Sequence, residues 1–172
     1  KLKSFGYHLS NILFHSLVTI MVYLFLGFIV KNKVSSFLGA MVFALHPIQT
    51  QPVAWVAGRN DLLLGLFCLM AIMFYHCYSI QGRNKFIALS ILSFIAALAT
   101  KEQGIFAILL IPLYEILIRR ARLKDLFSKN FFIIIIIYAI TIVSYFFVRY
   151  LVFGSVFGGE KYFTVDSFLQ RI

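Results

Sequence analysis

The chain has 172 residues, of which 62% are hydrophobic and 13% charged, with a mean hydropathy of +0.94 and a formal net charge of +10. A soluble domain of this size cannot hide so much apolar surface, so lipid must be the solvent for most of it. The positive charge does not point to nucleic acid: the basic residues sit at the ends of apolar runs, where they read as orientation signals and headgroup contacts.

The chain opens on Lys1-Leu2-Lys3-Ser4, with no initiator Met and no signal peptide ending in a small-residue cleavage site. It stops on Phe168-Leu169-Gln170-Arg171-Ile172, and both ends look interrupted, so a piece of a larger protein is expected. Between them, apolar runs at roughly 8–30, 34–46, 61–80, 86–100, 104–118 and 131–153 predict an all-α, polytopic transmembrane bundle of about six helices. We read 1–172 as a single transmembrane domain with a tail over 154–172 and no internal repeat.

On the first run His8, Asn11 and His15 share one helical face. A metal site needs more ligands than that face offers, so hydrogen bonds between helices are the expectation. Ser36, Ala40 and Ala44 in the second run, like Ser93 and Ala97 in the fourth, have the spacing that lets helices approach closely. Cys68 and Cys77 on the third run stand about 13 Å apart along a helix, too far to bridge. His76 reads as interfacial, and Glu115 is expected to pair one turn on with Arg119 or Arg120. The linker over 119–130 could form an amphipathic surface helix with Leu123, Leu126 and Phe127 facing down. The Ile133 to Ile137 block suits lipid exposure.

If every run crosses, one side collects Lys31, Lys33, Arg83, Lys85, Arg119, Arg120, Arg122, Lys124 and Lys129 against Asp125 alone. The positive-inside rule makes that side cytoplasmic. The N-terminus, the tail and two polar islands then face outward: His46 to Asp61, and Lys101-Glu102-Gln103-Gly104. Only the first, third and last runs reach the roughly 20 residues that span hydrocarbon. The shorter runs stop below the outer surface, where polar backbone is tolerated only around a protein-lined or wet cavity. One recessed, outward-opening cavity lined by both islands is expected. No comparable polar cluster is read toward the cytoplasm, which favours a one-sided site.

Each island has two readings. In the first, Pro47 and Pro52 stop a regular helix and Gly58 permits a turn. Asn60 or Asp61 can cap the third helix, with Arg59 as partner or headgroup anchor. Alternatively Arg59, His46, Gln49 and Gln51 converge on an anionic, polyhydroxylated ligand, since Arg forks onto phosphate and amides suit sugar hydroxyls. In the second, Lys101 and Glu102 either satisfy each other as an ion pair or divide the work, Lys101 neutralising a lipid phosphate and Glu102 orienting a hydroxyl. Gly104 permits the turn both need. Arg149 either snorkels or binds the same anion.

Four segments in register carry a resemblance. They are Phe5-Gly6-Tyr7-His8-Leu9-Ser10-Asn11-Ile12-Leu13-Phe14-His15; Ala44-Leu45-His46-Pro47-Ile48-Gln49-Thr50-Gln51-Pro52-Val53; Gly58-Arg59-Asn60-Asp61-Leu62-Leu63; and Ala99-Thr100-Lys101-Glu102-Gln103-Gly104-Ile105. Together they resemble the GT-C glycosyltransferases, in particular the transmembrane and tetratricopeptide-repeat O-mannosyltransferases and their bacterial and archaeal relatives. A weaker echo lies at Val148-Arg149-Tyr150.

The resemblance implies a partial GT-C membrane domain and transfer of a sugar, often mannose, from a polyprenyl-phosphate carrier to a protein hydroxyl on the outer or lumenal face. The partners it implies are membrane lipid, the lipid-linked sugar and a protein acceptor. It implies catalytic acids in an outward loop that precedes this sequence, so the fragment alone is expected to be inactive. Arg59, Lys101 and Arg149 become candidates for the donor phosphate, and His46, Gln49, Gln51, Asp61 and Glu102 for positioning substrate. No cofactor is assigned, and a divalent metal is neither required nor excluded. A transporter or flippase segment with the same charges around a translocated anion, and a non-catalytic scaffold, are the alternative readings.

Overall fold

A computed structural model of the chain describes residues 4–120 and 128–154, and all regular structure among them is helical. The chain divides into two compact units, Lys1–Phe127 and Ser128–Ile172.

In the first unit, α1 (Ser4–Val30) is long and mostly apolar, with polar residues gathered mainly in its first half. It ends on Lys31, whose φ of 54° is left-handed, a conformation usually left to Gly or Asn. That turn lets Asn32 start α2 (Lys33–Leu45), its Oδ1 accepting from the Val34 and Ser35 amides at 3.0 and 3.1 Å. The first island then folds as a 3₁₀ turn (Pro47–Gln49), the short α3 (Thr50–Ala54) and another 3₁₀ turn (Val56–Gly58). Both prolines lie early in these pieces, where a missing N–H breaks no helical bond.

α4 (Arg59–Gln81) closes on Gly82 at φ 65°, and α5 (Asn84–Thr100) returns against it. The second island opens a 3₁₀ stretch, Glu102–Leu109, followed by α6 (Leu110–Leu117). The fifth apolar run is thus not one α-helix. Pro112 has no N–H and would clash with the carbonyl four residues back, so the α-helix starts only just ahead of it. In the second unit, α7 (Lys129–Phe153) runs from a Ser128 cap to a left-handed Gly154.

Gly6–Val30, Arg59–Gln81 and Asn130–Val152 are long and apolar enough to cross a membrane, while α2 and α5 are shorter. This matches the expectation from run length, and the chain is an all-α bundle of membrane type. α4 packs most extensively on α5, and α1 lies against both α2 and α4. Leu62 and Ala71 on α4 and Phe94, Ala97 and Leu98 on α5 are buried. Ser36, Ala40, Ser93 and Ala97, from the small-residue stripes, are all buried. Leu13, Leu17 and Ile20 of α1 face outward, which suits hydrocarbon. The expected surface helix falls mainly on 121–127 and the tail on 155–172, outside the described residues.

Candidate functional site

The two islands meet. Asp61 lies in the first turn of α4, Lys101 just after the last turn of α5, and their side chains form an ion pair across forty residues of sequence. Both groups are about half-exposed, so the pair stands at the lip of the bundle. Asp61 also sits at the positive end of α4, where an acid is favoured. It is not the cap: the helix begins at Arg59, with Gly58 in the cap position and no side-chain cap bond. Asp61 therefore engages Lys101, and Arg59 turns elsewhere, its guanidinium lying over the Tyr7 ring at 5.3 Å. The buried Arg59 Nε has no hydrogen-bond partner among the described residues.

Close backbone approach explains both island glycines. A Cβ on Gly58 would lie 2.4 Å from the Pro52 carbonyl oxygen, and one on Gly104 would lie 2.7 Å from the Ala97 carbonyl carbon. Both lie in 3₁₀ turns, as the sequence expected of turn glycines, and neither has a left-handed backbone. Each removes a side chain so that the island can fold flat against its own helix end.

Asn11 ties the first island to α1. Fully buried, it donates from Nδ2 to the Trp55 carbonyl at 2.8 Å and the Val53 carbonyl at 3.2 Å, with the Pro52 carbonyl at 3.5 Å. His15, one turn on, contacts the Ala44 carbonyl through Nε2 at 3.1 Å. Asn11 and His15 thus make the tertiary hydrogen bonds expected of that face, while His8 is exposed. The sequence did not single out Tyr7, although it stands one turn before Asn11 on the same face.

Among the substrate-positioning candidates, His46 is exposed, and its Nδ1 accepts from the Ile48 amide at 3.2 Å, capping the 3₁₀ turn. Gln49 is half-buried and Gln51 exposed on the same stretch. Glu102 opens the 3₁₀ stretch beside Lys101 and is half-buried. Arg149 belongs to the second unit, where it donates to the Tyr145 hydroxyl one turn back at 3.2 Å. Among the described residues no three His, Cys, Asp or Glu side chains are grouped to hold a metal ion.

The opposite end of the first unit is also polar, contrary to the expectation from the sequence. Glu115 on α6 is buried, accepting from the Tyr75 hydroxyl at 2.7 Å and from Arg119 Nη1 at 3.0 and 3.1 Å. Burial works to lower the Arg119 pKa, but the hydrogen bonds and charge of Glu115 outweigh it and hold the guanidinium above its ordinary value. His76 hydrogen-bonds the Tyr114 hydroxyl, which Ser79 also approaches at 3.3 Å. The sequence pairing of Glu115 with Arg119 holds. The tyrosines escaped notice because they look like ordinary apolar residues in an oily helix.

No protein-family model and no solved structure matches the chain. Curated sequences do. Human protein O-mannosyl-transferase TMTC3 is 36% identical over 122 residues, 69% of this chain and 13% of that protein. Human protein O-mannosyl-transferase TMTC4 is 34% identical over 134 residues, 66% of this chain and 18% of that protein. Human protein O-mannosyl-transferase TMTC2 is 30% identical over 132 residues, 73% of this chain and 16% of that protein. The chain thus spans less than a fifth of these relatives. By sequence it belongs with the TMTC protein O-mannosyl-transferases, the glycosyltransferase group that its four motifs resemble.

Proposed function

We propose that this chain is part of the membrane domain of a protein O-mannosyltransferase, and that its two polar islands bind the phosphate of a polyprenyl-phosphate mannose donor at the outer or lumenal face. The Lys101–Asp61 contact carries the reading, because it brings two separate polar motifs into one half-exposed patch. A glycosyl phosphate donor leaves as a phosphate, so a cation held beside the leaving oxygen stabilises the charge that develops there. Asp61 would hold the Lys101 ammonium in place, and Arg59, held against Tyr7, would supply a second cation. His46, Gln49, Gln51 and Glu102 would orient sugar or acceptor hydroxyls. A carboxylate elsewhere in the whole protein would take the acceptor proton.

The test is transfer by the full-length enzyme from labelled polyprenyl-phosphate mannose to an acceptor protein. Lys101→Ala should lower kcat by about a hundredfold, the usual cost of removing a donor to a developing oxyanion. Unchanged transfer overturns the role of Lys101. A transporter segment is the second reading, favoured by the polar cluster at the opposite end of the bundle. Flipping of the lipid-linked sugar across vesicles, unimpaired when transfer is lost, would select it.

A further inference from the structure

The end of the bundle away from the islands holds a cavity of about 510 Å3 between α1, α4 and α6. Lys31, Arg119, His76 and Tyr114 line its polar side, and Phe28 and Ile80 its apolar side. Lys31 makes no ion pair among the described residues, and Arg119 gives Glu115 only one guanidinium nitrogen. The Lys31 charge is also held on a left-handed backbone, where a glycine would sit without strain.

A second cavity, of about 350 Å3, shares Gly27, Phe28 and Lys31 with the first and runs between α1 and α2 past Tyr23 and Leu24. A third, of about 230 Å3, shares Tyr23 and continues past Ile20 to Ala40 and Met41. From Lys31 back to Thr19 this track follows α1 for about 18 Å, at 1.5 Å per residue. Its head is cationic and lies where two membrane-length helices end, at Val30 and Gln81. Its tail is an apolar groove on the hydrocarbon side.

We propose that this track is a binding site for one anionic phospholipid, its phosphate between Lys31 and Arg119 and an acyl chain along the α1–α2 groove. A basic pocket between helix ends is suited to a lipid phosphate, and the groove distinguishes a lipid from a free phosphate. The site is separate from the islands and does not depend on the transfer reaction.

Native mass spectrometry of the full-length protein in detergent, with added dioleoyl phosphatidic acid, dioleoyl phosphatidylcholine or inorganic phosphate, tests it. Retention of phosphatidic acid over phosphatidylcholine is expected, undisturbed by an equal concentration of inorganic phosphate. Lys31→Gln should weaken retention about fivefold, the effect of one basic residue near an anionic lipid. Lys31→Gly relaxes the backbone and should weaken retention equally while leaving the thermal midpoint unchanged or raised. Equal retention of phosphatidylcholine, displacement by inorganic phosphate, or full retention by both Lys31 variants would overturn the proposal.

Discussion

The two ends of the first unit solve the same problem differently. At the island end, a stretch of broken helix exposes its carbonyls near hydrocarbon, and one buried amide, Asn11, collects them. Charge stays at the lip, in the half-exposed Lys101–Asp61 pair. At the other end the helices are regular, and it is the charge that goes inside: Glu115 is buried under Tyr75 and Arg119. Shape and backbone bonding hold the first region, and ionic and hydroxyl partners the second. An end held by shape keeps its paired charges at a half-exposed lip, within reach of a ligand, whereas the other end has drawn Glu115 and part of Arg119 inside.

The largest effect that separates the two should come from the glycines. Gly58→Ala and Gly104→Ala each drive a methyl into backbone, so a loss near the upper end of the roughly 1–3 kcal/mol range for overpacking is expected. Thermal unfolding of the detergent-solubilised protein reads it, and tolerance of both would show that the islands are not held by close approach. Next is Asn11→Leu, which keeps the volume and strands the Trp55 and Val53 carbonyls at a cost of about 2 kcal/mol. Tyr75→Phe should cost about 1 kcal/mol, because Arg119 still covers Glu115. An equal loss from Tyr75→Phe and Asn11→Leu would erase the contrast.

The smallest effect on stability belongs to Lys101→Met, expected below about 1 kcal/mol for a half-exposed pair. Added salt should shrink that increment further and leave the Tyr75→Phe increment unchanged. A salt-independent loss at Lys101 would place the pair in a drier setting than its exposure indicates.

Much of this was legible in the residues. Run lengths picked out the membrane-length helices, because hydrocarbon thickness leaves little freedom in how many apolar residues a crossing needs. The polar face of the first helix and the pairing of Glu115 with Arg119 followed from helical periodicity. Contacts between distant segments were not legible. Lys101 engages Asp61, a partner that no local spacing encodes. Asp61 reads as a cap by residue type, yet the helix starts two residues earlier, where the close fit of Gly58 against Pro52 fixes its start. The cluster at the end away from the islands was missed because Tyr75 and Tyr114 show their polarity only when a carboxylate or an imidazole stands opposite.

Asn11 also bears on how variants of this chain should be read. Its job is to present amide hydrogens, on a short planar arm, to a group of acceptors that repel any negative charge. A single base change in an asparagine codon yields Asp, His, Tyr, Ser, Thr, Ile or Lys, and none of these supplies that donor at that reach. Spontaneous deamidation would be as damaging, turning the donor into a carboxylate aimed at carbonyl oxygens. Genetic drift and chemical ageing therefore meet the same barrier at this position, which holds the first island in place without being one of its charged groups.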